Sequence, residues 1–161
     1  MLGKIFITRP LFQETVKRLR AEVDVEENTE DRILSKPELM QRLIGLDGVI
    51  PLLPNIVDRE VLESAPKLKV VANFGVGVDH IDVRAATELG IVVTNTPGVL
   101  TETTADLAWS LLMAAARRIV EADNFMRSRQ FTAWGPKMLL GHDVYGKTLG
   151  IVGLGRIGQA I

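Results

Sequence analysis

Short apolar runs alternate with amphipathic segments of helical length through residues 1–100. Lys4-Ile5-Phe6-Ile7-Thr8 reads as a strand, followed by a helix carrying Val16 and Leu19. Val23-Asp24-Val25-Glu26 alternates at period two, the pattern of an edge strand with one wet face. Ser35-Lys36-Pro37-Glu38 is a capping box with proline in the first turn, and Leu39, Leu43 and Ile44 supply the apolar face behind it. Gly48-Val49-Ile50-Pro51-Leu52-Leu53 reads as a third strand, and Asp58 caps a short helix through Val61 and Leu62. Leu68-Lys69-Val70-Val71-Ala72 is a fourth strand. Asp82 then starts a helix through Ala85, Ala86 and Leu89, with Gly90 placed as a C-terminal cap. Ile91-Val92-Val93-Thr94 is a fifth strand.

Strands and helices alternating at this spacing make right-handed βαβ units and a parallel sheet. The expected domain, residues 1–100, is therefore a flavodoxin-like α/β layer structure. It has a five-stranded parallel sheet in the order 2-1-3-4-5 and helices on both faces.

Residues 101–161 read differently. Thr101 or Thr103 is placed to cap a longer helix, with Asp106 in its first turns. Its body, residues 105–116, is apolar nearly all round, which calls for burial or an interface. Residues 127–147 lack clean periodicity and hold Trp134, Gly135-Pro136, Gly141 and Gly146, the composition of a connecting arm whose Trp134 needs a partner surface. The apolar run Leu149-Gly150-Ile151-Val152 reads as a buried strand.

That run leads into Gly153-Leu154-Gly155-Arg156-Ile157-Gly158, a G-x-G-x-x-G pattern. In the opening βα turn of a dinucleotide-binding fold, such glycines serve a tight bend, backbone approach to a pyrophosphate, and close helix–strand packing. The pattern alone is weak, since glycine is common in turns. The acidic residue that holds the ribose in such folds is expected roughly 20 positions further on, past Ile161. The expectation is thus the truncated start of a Rossmann domain, and a chain that is the front part of a cofactor-dependent enzyme.

Composition narrows the chemistry. The 161 residues are 47% hydrophobic and 24% charged, near the globular average, which speaks against disorder. Lys and Arg number 19 against 20 Asp and Glu, so nucleic-acid binding has no electrostatic support. The absence of cysteine excludes disulfides, thiolate nucleophiles and zinc–thiolate sites, and no metal site is expected. No signal-peptide pattern or membrane-length apolar run occurs, and a cytoplasmic protein is expected.

Two further loops are candidates. Asn73-Phe74-Gly75-Val76-Gly77-Val78-Asp79-His80 follows the fourth strand, where ligands bind in open parallel sheets. Its glycines can bare backbone N–H groups to an anion; equally, it can be a plain βα turn with Asp79 at the helix start. Thr94-Asn95-Thr96-Pro97-Gly98-Val99-Leu100-Thr101-Glu102-Thr103-Thr104-Ala105-Asp106 joins a turn to a hydroxyl-rich helix start. Its threonines serve either as caps or, at Thr104, as a cofactor contact.

Taken together, residues 73–82, 94–109 and 143–158, with Phe6-Ile7-Thr8-Arg9 and Leu52-Leu53, resemble the D-isomer-specific 2-hydroxyacid dehydrogenases. The arm with Trp134 and Leu139-Leu140-Gly141 is most similar to the glyoxylate and hydroxypyruvate reductases. The resemblance implies that the Val76-Gly77 backbone binds a substrate carboxylate, with Leu53 lining that pocket. It implies that Thr104 contacts NAD or NADP, and that Gly153, Leu154, Gly155, Arg156, Ile157 and Gly158 form the pyrophosphate turn. The parent would reduce a small 2-oxo acid such as glyoxylate or hydroxypyruvate, as a homodimer built on the 101–140 helix and arm.

The family's catalytic Arg, Glu and His belong to the second half of its chain. His80 and His142 do not match the catalytic position and are expected to be a turn residue and a surface or interface residue. No catalytic residue is therefore expected in this chain, which by itself would be inactive and bind no cofactor. The alternative is a stand-alone flavodoxin-like scaffold or dimerisation module. Both phospho-receiver and flavodoxin chemistry are excluded. The first and third strands end in Thr8-Arg9-Pro10 and Leu52-Leu53 rather than acids, and Arg9-Pro10-Leu11-Phe12 is not a phosphate loop.

Overall fold

A computed structural model describes residues 3–161, which form two compact units divided between Pro97 and Gly98. The first unit alternates strands and helices in the expected order. It runs β1 (Lys4–Ile7), α1 (Gln13–Glu22), β2 (Asp24–Glu27), α2 (Lys36–Leu43), β3 (Gly48–Ile50), α3 (Arg59–Glu63), β4 (Val70–Ala72), α4 (Val83–Glu88) and β5 (Val92–Thr94). The five strands are all parallel and lie in the order β2-β1-β3-β4-β5. Phe6 and Ile7 are consecutive, so they point to opposite faces of the sheet, and neither is exposed at all. Both faces of β1 are therefore covered, as a parallel sheet requires.

Local signals position these elements. Asp58 and Asp82 each accept a backbone N–H three residues on, from Val61 at 3.1 Å and Ala85 at 2.8 Å. At α2, the Glu38 carboxylate reaches back to the Ser35 N–H at 2.8 Å and takes the Ser35 hydroxyl at 2.7 Å. Leu39 and Leu43 on that helix, Val61 and Leu62 on α3, and Val49 and Val71 on the sheet meet in one core. Each such side chain contributes about 1.5–3 kcal/mol by leaving water. Strand β3 ends earlier than the apolar run suggests, because Pro51 has no N–H to extend the ladder. The Thr8 hydroxyl, fully buried, instead accepts the Leu52 N–H at 3.1 Å and carries the pairing one residue further.

The second unit holds α5 (Thr101–Ala116), α6 (Ile119–Arg127) and α7 (Arg156–Ala160). Several expectations are corrected here. Neither Thr101 nor Thr103 caps α5: the N-cap is Leu100, without a side-chain cap, and the Thr103 hydroxyl donates to the Leu100 carbonyl instead. Helix α6 was not legible as a separate element. It starts after Arg118, whose left-handed backbone (φ 54°) breaks the chain away from α5. Residues 149–152 form no strand and are exposed, with Val152 wholly so. A strand exists only by pairing, and no neighbouring strand of this unit offers a ladder. The tail does not remain loose, however: α7 lies against α5, and the Trp109 indole N–H donates to the Ile161 carbonyl at 3.1 Å. Among the described residues no helix is long and apolar enough to cross a membrane.

Candidate anion and dinucleotide sites

Strands β3 and β4 are neighbours, and the segments leaving their carboxyl ends place Leu53 against the 73–80 loop. A Cβ on Gly75 would touch the Leu53 side chain at 3.8 Å, ordinary contact. Leu53 and Val76 are otherwise exposed, at 60% and 40%.

Three successive carbonyls of this loop are tied down. The buried Asn73 side chain donates its two amide hydrogens to the carbonyls of Gly75 (3.1 Å) and Gly77 (2.8 Å). The Asn95 amide donates to the Val76 carbonyl at 2.8 Å, and the Thr96 N–H donates to that of Gly75 at 3.0 Å. With these oxygens held, the N–H groups of Val76 and Gly77 have no protein acceptor among the described residues. Successive free N–H groups in a turn make an anion-binding concavity that needs no charged side chain.

His80 closes the arrangement. Its Nε2 lies 3.1 Å from Asn73 Oδ1. Because both hydrogens of the Asn73 amide are committed to carbonyls, Oδ1 must accept, and His80 Nε2 carries the proton. Burial pushes the His80 imidazole below its ordinary value, with Asp79 opposing in part. The backbone of His80 is also structural, its carbonyl accepting the Val57 N–H at 2.8 Å. His80 is thus a loop brace, as its place in a turn suggested. The roles of Asn73 and Asn95 were missed; for Asn73 the available signal was an amide two residues ahead of the Gly75-Val76-Gly77 turn.

In the second unit, Thr104 sits half-buried in the first turn of α5, and its hydroxyl has no hydrogen-bond partner among the described residues. The glycine turn takes the shape its spacing predicts, even without a strand before it. Gly153 has φ 98°, open to glycine at little cost. Gly155, the N-cap of α7, has no atom within 4 Å of where a Cβ would stand, so its backbone can be approached closely. At Gly158 a Cβ would collide with the Gly153 carbonyl. These are the three demands a pyrophosphate turn makes of its glycines, so the residues present fit a dinucleotide. Leu154, Arg156 and Ile157 are exposed around it. No group of His, Asp and Glu suited to a metal occurs among the described residues.

Comparison with known proteins gives the family. Residues 5–140 match the D-isomer specific 2-hydroxyacid dehydrogenase catalytic domain. The chain is 49% identical over 165 aligned positions to a glyoxylate reductase of Thermococcus gammatolerans, covering 100% of this chain and 49% of that protein. A glyoxylate reductase of Pyrococcus horikoshii is 48% identical with the same coverage. The chain therefore spans about half the length of the curated relatives it matches. Among solved structures, the TT0316 protein from Thermus thermophilus superposes with a TM-score of 0.91 at 48% identity, over 98% of this chain and 50% of that one. An NADPH-dependent glyoxylate/hydroxypyruvate reductase from Sinorhizobium meliloti, solved with NADP and malonate, gives 0.80 at 30% identity, over 99% and 49%. The chain belongs to the D-isomer specific 2-hydroxyacid dehydrogenases.

Proposed function

We propose that this chain carries the carboxylate-binding part, and the opening of the cofactor-binding part, of an NAD(P)-dependent reductase of small 2-oxo acids such as glyoxylate or hydroxypyruvate. The observation that carries the reading is the pair of unpartnered N–H groups at Val76 and Gly77, whose peptide planes are fixed by the tied carbonyls of Gly75 and Val76. Those N–H groups hold the substrate carboxylate, and Leu53 supplies an apolar wall that suits a small substrate. When bound, the nicotinamide cofactor would supply a hydride to the 2-oxo carbon, and a proton taken up at the carbonyl oxygen would complete the 2-hydroxy acid. Thr104 offers it a free hydroxyl, and residues Gly153 to Gly158 offer its pyrophosphate a backbone cradle. His80 does not serve as the proton donor, because its Nε2 hydrogen is committed to Asn73.

The same reading includes a homodimer formed through the 101–140 helix and arm. Its support is a run of exposed apolar side chains, among them Leu107, Leu111, Val120 and Trp134, which is 77% exposed. Exposed apolar side chains in such number along the helices and arm suit an interaction site.

Titration of glyoxylate into the nitrogen-15-labelled chain tests the proposal. The Val76 and Gly77 amide resonances move with glyoxylate and with acetate but not with neutral glycolamide. A scaffold or dimerisation module without ligands would dimerise and unfold cooperatively, yet show none of these shifts.

A further inference from the structure

Two of the hydrogen bonds that shape the 73–80 loop come from one side chain, that of Asn73. Asn73 is the residue directly after β4, 2% exposed, and anchored through its own N–H to the Thr94 carbonyl at 2.8 Å. Its amide spans the loop from inside, drawing in the carbonyls two and four residues ahead. An amide can do this in only one of its two orientations. Flipped by 180°, its oxygen would face two carbonyl oxygens, and the loop would open or its peptide planes would turn. The His80 Nε2–H, donating to Oδ1 from seven residues on, is the contact that selects the productive orientation.

We infer that Asn73, oriented by His80, is a positioning residue for carboxylate recognition: the Asn73–His80 pair sets the direction of the Val76 N–H group and fixes the chain immediately beyond the Gly77 N–H. This rests on the reading of that loop as the carboxylate site. Neither side chain touches the substrate. Their effect passes through two peptide planes. The Gly75 plane turns its oxygen in and the Val76 N–H out. The Gly77 plane fixes the chain just beyond the Gly77 N–H, which itself lies in the Val76 plane held by Asn95.

The test compares Asn73→Ala, His80→Ala and His80→Gln in the 161-residue chain, reading glyoxylate affinity from the Val76 and Gly77 amide shifts and stability from the urea midpoint. Glutamine places an N–H close to where His80 Nε2 stands. Losing one fixed hydrogen bond corresponds to about a tenfold change in affinity. Asn73→Ala and His80→Ala are expected to weaken glyoxylate by about that factor, and His80→Gln to recover most of it. A residue that merely stabilises the fold would lower the urea midpoint in both alanine variants and leave glyoxylate affinity as it was, which would overturn the inference while the carboxylate site stood. Equal weakening by His80→Ala and His80→Gln would remove His80 from the pair. Absence of any shift at Val76 and Gly77 in the unaltered chain would overturn the carboxylate site and the inference with it. Should Asn73→Ala fail to fold, the two His80 variants decide the question.

Discussion

The Cα of Gly158 faces the carbonyl oxygen of Gly153 so closely that a Cβ would collide with it. The collision ties the first and last glycines of the turn together: α7 can start where it does only because position 158 has no side chain. Gly158→Ala is expected to push α7 off the turn and break the contact between Trp109 and the Ile161 carbonyl. In a Trp134→Phe background, which leaves Trp109 as the sole indole, the emission should then shift to the red. An unchanged spectrum, with unchanged amide resonances over residues 153–161, would show that the turn tolerates the methyl group.

Gly48 fills a similar position inside the sheet. It pairs with Ile5 on β1 and Val70 on β4, and a Cβ there would stand 2.9 Å from Val70 Cγ1 and 3.1 Å from Ile5 Cγ2. Overpacking of this kind costs about 1–3 kcal/mol. Gly48→Ala should lower the urea unfolding midpoint accordingly, and adding Val70→Ala should return part of the loss, since the two positions share one contact. Additive destabilisation in the double variant would place the clash elsewhere.

The contrast between these glycines and the apolar run before Gly153 shows what was readable in the chain. Asp58, Asp82 and the Ser35–Glu38 box were legible because each acts within four residues on its own helix. The sheet order was legible because alternation of strand and helix leaves few parallel topologies. Leu149-Gly150-Ile151-Val152 has the composition of a strand, yet its strand state depends on partners that composition does not encode. Its exposure here follows from that dependence. Helix α6 was hidden for a different reason: Arg118 interrupts the helical run with a left-handed backbone that arginine seldom adopts. The Asn73 amide lay in plain view, but its role required knowing which carbonyls turn inward.

Asp82 offers a cleaner measure of a local signal. Its Oδ1 accepts the Ala85 N–H at 2.8 Å, and α4 behind it buries Ala85 and Ala86 against the core. Replacing such a cap with alanine costs about 0.5–2 kcal/mol, whereas asparagine keeps an acceptor in the same place. Asp82→Ala should lower the unfolding free energy by that amount, read as a lower urea midpoint, and Asp82→Asn by much less. Equal losses would point to the charge rather than the hydrogen bond.

Acid should act through the carboxylates that the fold employs. Arg32 donates to both Glu38 oxygens, at 3.1 and 2.8 Å, and with the Ser35 hydroxyl and N–H it holds the Glu38 carboxyl down at about 2, against an ordinary value of 4.5. A carboxyl lowered on folding stabilises the fold above its unfolded value, and the contribution is lost as pH falls through the folded one. Asp47, Asp58 and Glu88 are lowered as well, through Lys69, Lys36 and Arg59 respectively, so all four act with the same sign. The urea midpoint should therefore fall as pH drops from about 4.5 towards 2. Glu38→Gln removes one of the four contributions: it should be less stable than the unaltered chain at neutral pH, with the gap closing on acidification. Because Glu38 is exposed, the gap is modest. Parallel curves for the two chains across that range would mean that the Arg32–Glu38 pairing does not persist in solution.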